Sequence, residues 1–182
     1  MMATTHGFVG LAVAAAVATV SPELAVPAAI GGIAGGIAPD LDVLAAHRKT
    51  LHFPVYYPLA ALLALPVAVT LTSPITVAVA MFFTAAALHV LADVIGGIPA
   101  LRPWAVTNER AVYVHPLDRW VAPRMVIRYD GAPEDFFLGA AFAVPGVAVF
   151  SWPIRGIALV GLLVSLIYAA FRKPIGRRLA AG

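Results

Sequence analysis

The chain has 182 residues, of which 62% are hydrophobic and 12% charged, with a net charge of +3 and a mean hydropathy of +0.93. A water-soluble domain of this length cannot hide so much apolar surface, so the composition excludes one and specifies a bilayer as solvent. The absence of cysteine excludes disulfides and thiolate metal sites, and basic residues without interleaved stacking aromatics give no sign of a nucleic-acid partner.

The length predicts one domain, 1–182. Residues 1–6 carry no Lys or Arg, so the first apolar run lacks the positive leader of a secretory signal and reads as a retained membrane segment. Apolar runs cover about 7–20, 24–38, 54–72, 75–96, 135–151 and 154–171. They predict an all-α polytopic membrane bundle of about six helices, although only the third, fourth and sixth runs reach the length needed to span fully. GGIAGGIA (31–38) permits close approach of helices. Pro66 is expected to kink the third run, and Pro74 and Pro153 punctuate the short turns. Residues 97–134 form the one long polar segment, with Trp104, Tyr113, Trp120 and Tyr129 among its charges, which suits a loop at the membrane interface.

Threading the runs alternately across a membrane puts eleven of the 12 Lys and Arg residues on the side of the N-terminus, leaving only Arg155 opposite. The positive-inside rule makes that side cytoplasmic, so both termini and the loop 97–134 are expected there, in an inner membrane. All five histidines and eight of the nine carboxylates fall on the same side, Glu23 being the exception.

In the fourth run, ALHVLADV places His89 and Asp93 four apart, on one face of a helix. An imidazole nitrogen and a carboxylate oxygen so placed can bind one cation; the plainer reading is a hydrogen bond between helices. In IAPDLDVLAAHRKTLH (37–52), Pro39 ends the second run. A helix started by Asp40 as N-cap would bring His47 to its face, whereas extended backbone would point Asp40 and Asp42 the same way. His6 opens the first run. His115 and Glu109, in the interfacial loop, are possible additional ligands, and Arg48, Arg102 and Arg110 are possible phosphate-binding residues. His and Asp without Cys suit Zn, with Mn as an alternative. Asp40 and Asp42 are candidate bridging ligands of a two-ion site, or orienters of ligand histidines. Asp40, Asp42 and His52 are the candidate catalytic residues.

The stretches THGFVGLAVA (5–14), GGIAGGIAPDLDVL (31–44), HRKTLH (47–52) and HVLAD (89–93) resemble the YdjM family (DUF457) of small membrane-bound metal-dependent hydrolases. The resemblance covers the first half of the chain; the second half matches mainly in hydropathy. It implies that His6, Asp40, Asp42, His47, His52, His89 and Asp93 belong to a metal site. The family's distant likeness to zinc-dependent phospholipase C and P1 nuclease, which carry a similar HxxxD on a helix, implies phosphoester cleavage with two or three zinc ions. The additional His-x-x-x-Glu helix of the soluble phospholipases is missing here. The expected substrate is a lipid or isoprenoid phosphate lying in the bilayer beside the site. The alternatives are a divalent-cation transporter, which needs its ligands near mid-membrane, and a non-catalytic scaffold, which needs no metal. Intramembrane metalloproteases and PAP2-type lipid phosphatases are set aside for want of HExxH and SGH motifs.

Overall fold

The computed structural model describes residues 1–98, 100–105 and 110–180. Six helices follow the six apolar runs: α1 (Ala3–Val20), α2 (Ala25–Ile37), α3 (Tyr56–Leu71), α4 (Pro74–Ile95), α5 (Pro133–Val149) and α6 (Ile154–Leu179). Four helical stretches are long and apolar enough to cross a membrane: Ala3–Val20, Pro22–Leu44, Pro74–Ile95 and Ile154–Leu179. The expected count of six is thus corrected to four. The third run fails although it looked long enough, because Pro54 and Val55 stay outside the helix and α3 has only 16 residues. The second qualifies because short 3-10 turns extend it at both ends.

Small residues decide the packing. α1, α2 and α4 touch one another, α3 leans on α4, and α5 packs on α1 and α6. A Cβ at Gly32 would lie 2.4 Å from the Gly10 carbonyl oxygen, one at Gly31 would lie 2.1 Å from that of Ala78, and one at Gly35 would lie 2.0 Å from that of Phe82. Backbone therefore meets backbone along the α1–α2 and α2–α4 seams, as small-residue interfaces in lipid allow. The core beside these seams is equally fine-grained, built on Leu11, Ala14, Ala28, Ala29 and Ala80. Many larger aliphatic side chains point outward instead, as at Leu63, Val69 and Ile75 of α3 and α4. That inversion is what a lipid environment rewards.

Pro74 stands at the first position of α4, behind a reciprocal cap between Ser73 and Thr76. Pro66, Pro145 and Pro174 lie inside helices.

The segment expected as a plain interfacial loop contains a β-hairpin, β1 (Val112–Val114) and β2 (Arg119–Val121), paired antiparallel with Tyr113 opposite Trp120. Valines and aromatics favour such a ladder. A 3-10 turn, His115–Leu117, joins the strands, and Asp118 closes it in the left-handed region at φ 46°. The Tyr113 amide donates to the Arg48 carbonyl, 3.1 Å, so the hairpin clamps the loop that follows α2.

Candidate metal centre

Helix α4 presents His89 and Asp93 one turn apart, both buried. Pro39 does not end the second helix in a loop. It starts a 3-10 helix, Ala38–Leu44, in direct continuation of α2. At three residues per turn, two positions diverge by roughly 120°, so Asp40 and Asp42 point apart rather than together. Asp40 Oδ1 faces α4, 3.4 Å from His89 Nε2 and 3.9 Å from His52 Nε2. The loop beyond Leu44 then returns His52, whose Nε2 lies 3.2 Å from both Asp93 Oδ2 and His89 Nε2. His89 Nε2 and Asp93 Oδ2 are 3.5 Å apart.

One ligand atom from each of Asp40, His52, His89 and Asp93 thus falls within 4.8 Å of every other. A tetrahedral shell with bonds of about 2.1 Å spaces its ligand atoms about 3.4 Å apart, and the observed separations are close to that. The hydrogen bonds around this cage orient its histidines. His89 Nδ1–H donates to the Gly36 carbonyl, 2.7 Å, and His52 Nδ1–H donates to Asp42 Oδ2, 2.9 Å. The network therefore assigns the proton to Nδ1 in both rings and turns both Nε2 lone pairs inward. Two imidazole nitrogens and two carboxylates converge there. Such a set can hold a cation, and its donor chemistry fits zinc or a similar ion.

Each ligand is held from behind. Asp42 accepts four donors: His47 Nδ1–H at 2.8 Å, the Arg48 amide at 3.2 Å, the Leu51 amide at 3.1 Å and His52 Nδ1–H. It folds the loop around itself and orients a ligand histidine, the outer-layer role seen in carboxylate–histidine–zinc sites. On Asp93, Oδ1 takes the Met1 amine, His6 Nε2–H and Arg48 Nη2, each at 3.2 Å, leaving Oδ2 for the cage. His6 also stacks on His89, ring centroids 3.7 Å apart.

Of the seven residues expected at the site, four form the cage and three stand around it. Asp42 and His47 are not in the ligand group: their facing atoms bond to one another and to the loop. His6 reaches the outer oxygen of Asp93 rather than the cage. Arg48 does not offer itself to a phosphate, because it is buried and spends its guanidinium on Asp93 and on the Gly97 carbonyl at 2.6 Å. His115 packs against Phe53 and Tyr113 at 4.9 and 5.2 Å between ring centroids, outside the ligand group. Arg110 lies over the Trp120 ring and Arg102 is exposed; Glu109 falls outside the described residues. Among the described residues the cage is the one group of this kind, so they supply no second set for a further ion.

A cleft of about 610 Å³ adjoins the cage, with Asp40, His47 and Arg48 in its wall and α6 from Tyr168 to Leu179 along its side. Asp40 is the only cage residue with real access to it: its side chain is 20% exposed, against 0–1% for the other three. Facing Asp40 across the cleft is a polar cluster that the sequence did not reveal. Arg172 donates to both carboxylate oxygens of Asp130 and to the carbonyls of Ala100 and Leu101, and the Tyr168 hydroxyl donates to Asp130. Tyr168 and Arg172 stand four apart in an apolar helix, the same spacing that marks His89 and Asp93, and that was the available signal.

A bundle of apolar helices with a buried acid–histidine cage at one end defines an integral membrane protein with a candidate divalent-cation centre. The family model of the YdjM inner membrane protein matches residues 1–177, and the chain belongs to that family. No curated protein and no solved structure matches it, so the likeness to soluble phospholipases stays an expectation.

Proposed function

We propose that the protein is a membrane-embedded, metal-dependent hydrolase that cleaves a phosphoester bond of a lipid or isoprenoid phosphate at the cytoplasmic face of the inner membrane. One observation carries the reading: the cage opens through Asp40 alone, onto a cleft that is polar at the cage and apolar beyond it. A transporter centre needs access from both faces; this cage lies at one end of its helices. With the six apolar runs threaded alternately, eleven of the 12 basic residues fall on the side of the cage, which supports the cytoplasmic assignment.

A divalent ion held by Asp40, His52, His89 and Asp93 supplies Lewis-acid polarisation of a phosphoryl oxygen and lowers the pKa of water at the site. The chain's own residues do the rest. Asp42 and the Gly36 carbonyl hold His52 and His89 in the ligating tautomer, and Arg48 pins Asp93. His47, its Nδ1 proton held by Asp42, presents Nε2 as a proton acceptor beside the cleft. Water adds to phosphorus, His47 takes its proton at Nε2, the ester P–O bond breaks, and the proton passes to the leaving alkoxide.

The test is phosphate release from long-chain alkyl phosphates by protein reconstituted in liposomes. We expect loss after chelation, recovery on adding Zn or Mn, and no recovery in Asp93→Ala or His52→Ala. Turnover that survives both chelation and those substitutions refutes the reading, and metal flux into sealed vesicles would replace it with transport.

A further inference from the structure

Helix α6 is the least covered of the candidate spans, with 22% of its apolar window buried against 44–50% for the other three. Most of that window therefore faces lipid. The cleft beside the cage runs along this helix, bounded by Leu101, Ile175 and Leu179, which are 55%, 41% and 62% exposed. That apolar window ends before Arg172, so the cleft meets the lipid-facing stretch of the helix at Tyr168, with Ile175 and Leu179 beyond it at the basic end. Its volume lies within the roughly 300–1,000 Å³ of small-molecule sites. The floor between the apolar wall and the cage is made by Tyr168, Asp130 and Arg172, and these groups already satisfy one another. A floor of satisfied polar groups can lie beneath an alkyl chain without leaving a buried charge unpaired.

We propose that this cleft is a lateral doorway for a phosphorylated amphiphile: the phosphate meets Asp40 at the cage, and the hydrocarbon chain lies over the Tyr168–Arg172 floor against Leu101, Ile175 and Leu179, reaching the bilayer past α6. The proposal rests on the hydrolase reading for the head group alone; the chain's path follows from the cleft. It names the substrate class as long-chain and membrane-resident, and it assigns chain recognition to α6. Soluble phosphoesters lack the part that fills most of the site.

The sequence contains no cysteine, so single cysteines report cleanly. Ile175→Cys and Leu179→Cys place a thiol in the cleft wall. Arg177→Cys places one at the same depth about 200° around the helix from Ile175, away from the cleft. Each is labelled with a maleimide in the folded, reconstituted protein, with dodecyl phosphate or inorganic phosphate added. Dodecyl phosphate is expected to slow labelling at the two cleft positions about tenfold, as near-saturating occupancy requires, and to leave Arg177→Cys unchanged; inorganic phosphate slows neither. Equal protection at Arg177→Cys means unselective partitioning and overturns the proposal. So does protection by inorganic phosphate, or no protection at either cleft position. The labelling needs no turnover, so protection without hydrolysis sinks the reaction and spares the doorway, while hydrolysis without protection does the reverse.

Discussion

Asp42 governs more of the centre than any ligand, because a single carboxylate takes four donors and sets both His47 and His52. Asp42→Asn keeps the shape but replaces one acceptor oxygen with an amide donor aimed at groups that also donate. Metal affinity should fall about 10–100-fold, as for other residues that orient ligands, and competition with a calibrated chelator measures it. His52→Ala should instead abolish binding. The distinction was not legible in the sequence. Spacing alone marked His89 and Asp93, since a helix fixes which residues share a face. Asp40 and Asp42 looked equivalent because nothing in APDLDVL announces a 3-10 pitch, and that pitch separates the ligand from its orienter. Arg48 read as a possible phosphate-binding residue, because only the folded loop shows it reaching Asp93.

The helices are held in register by missing side chains. Gly35→Ala would put a methyl 2.0 Å from the Phe82 carbonyl and push α2 away from the helix that carries His89 and Asp93. Overpacking of this kind costs on the order of 1–3 kcal/mol. We expect a lower unfolding midpoint in detergent, together with reduced metal content, because the cage straddles that seam. The other element of consequence is the end of α6. Arg172→Met leaves two carbonyls without their donor and Asp130 with Tyr168 alone, and because Asp130 is half-buried the cost falls below that of breaking a fully buried pair. Limited proteolysis should then cut within 97–132, the stretch that Arg172 ties down, sooner than in the native protein. GGIAGG advertised the tight α2 seams, and helix existence followed hydropathy closely. The hairpin was missed because each strand has only three residues, too few for an alternating pattern to stand out among prolines and charges.

For the molecule as a whole, the cage ties together chain segments that begin at Asp40 and end at Asp93, and the outer contacts bring in His6. Binding to the folded state alone stabilises it by RT ln(1 + [L]/Kd), about 4 kcal/mol at a thousandfold excess over Kd. Purified protein should carry about one divalent ion per chain by elemental analysis, since one four-residue group is present among the described residues. Stripping that ion should lower the unfolding midpoint measurably; metal-free protein of unchanged stability would point to a scaffold. The sequence foretold the apolar bundle and the gathering of ionisable groups at one end. Threading all six runs across the membrane overstated the number of spans, because hydropathy does not show where a helix starts. One last consequence follows from Asp40 being the sole cage residue with access to the outside. Ion and amphiphile share a single port, so they must arrive in order, ion first. An occupied cleft is then a cork: while it is filled, the cation cannot escape, and chelators should work only on enzyme caught between turnovers.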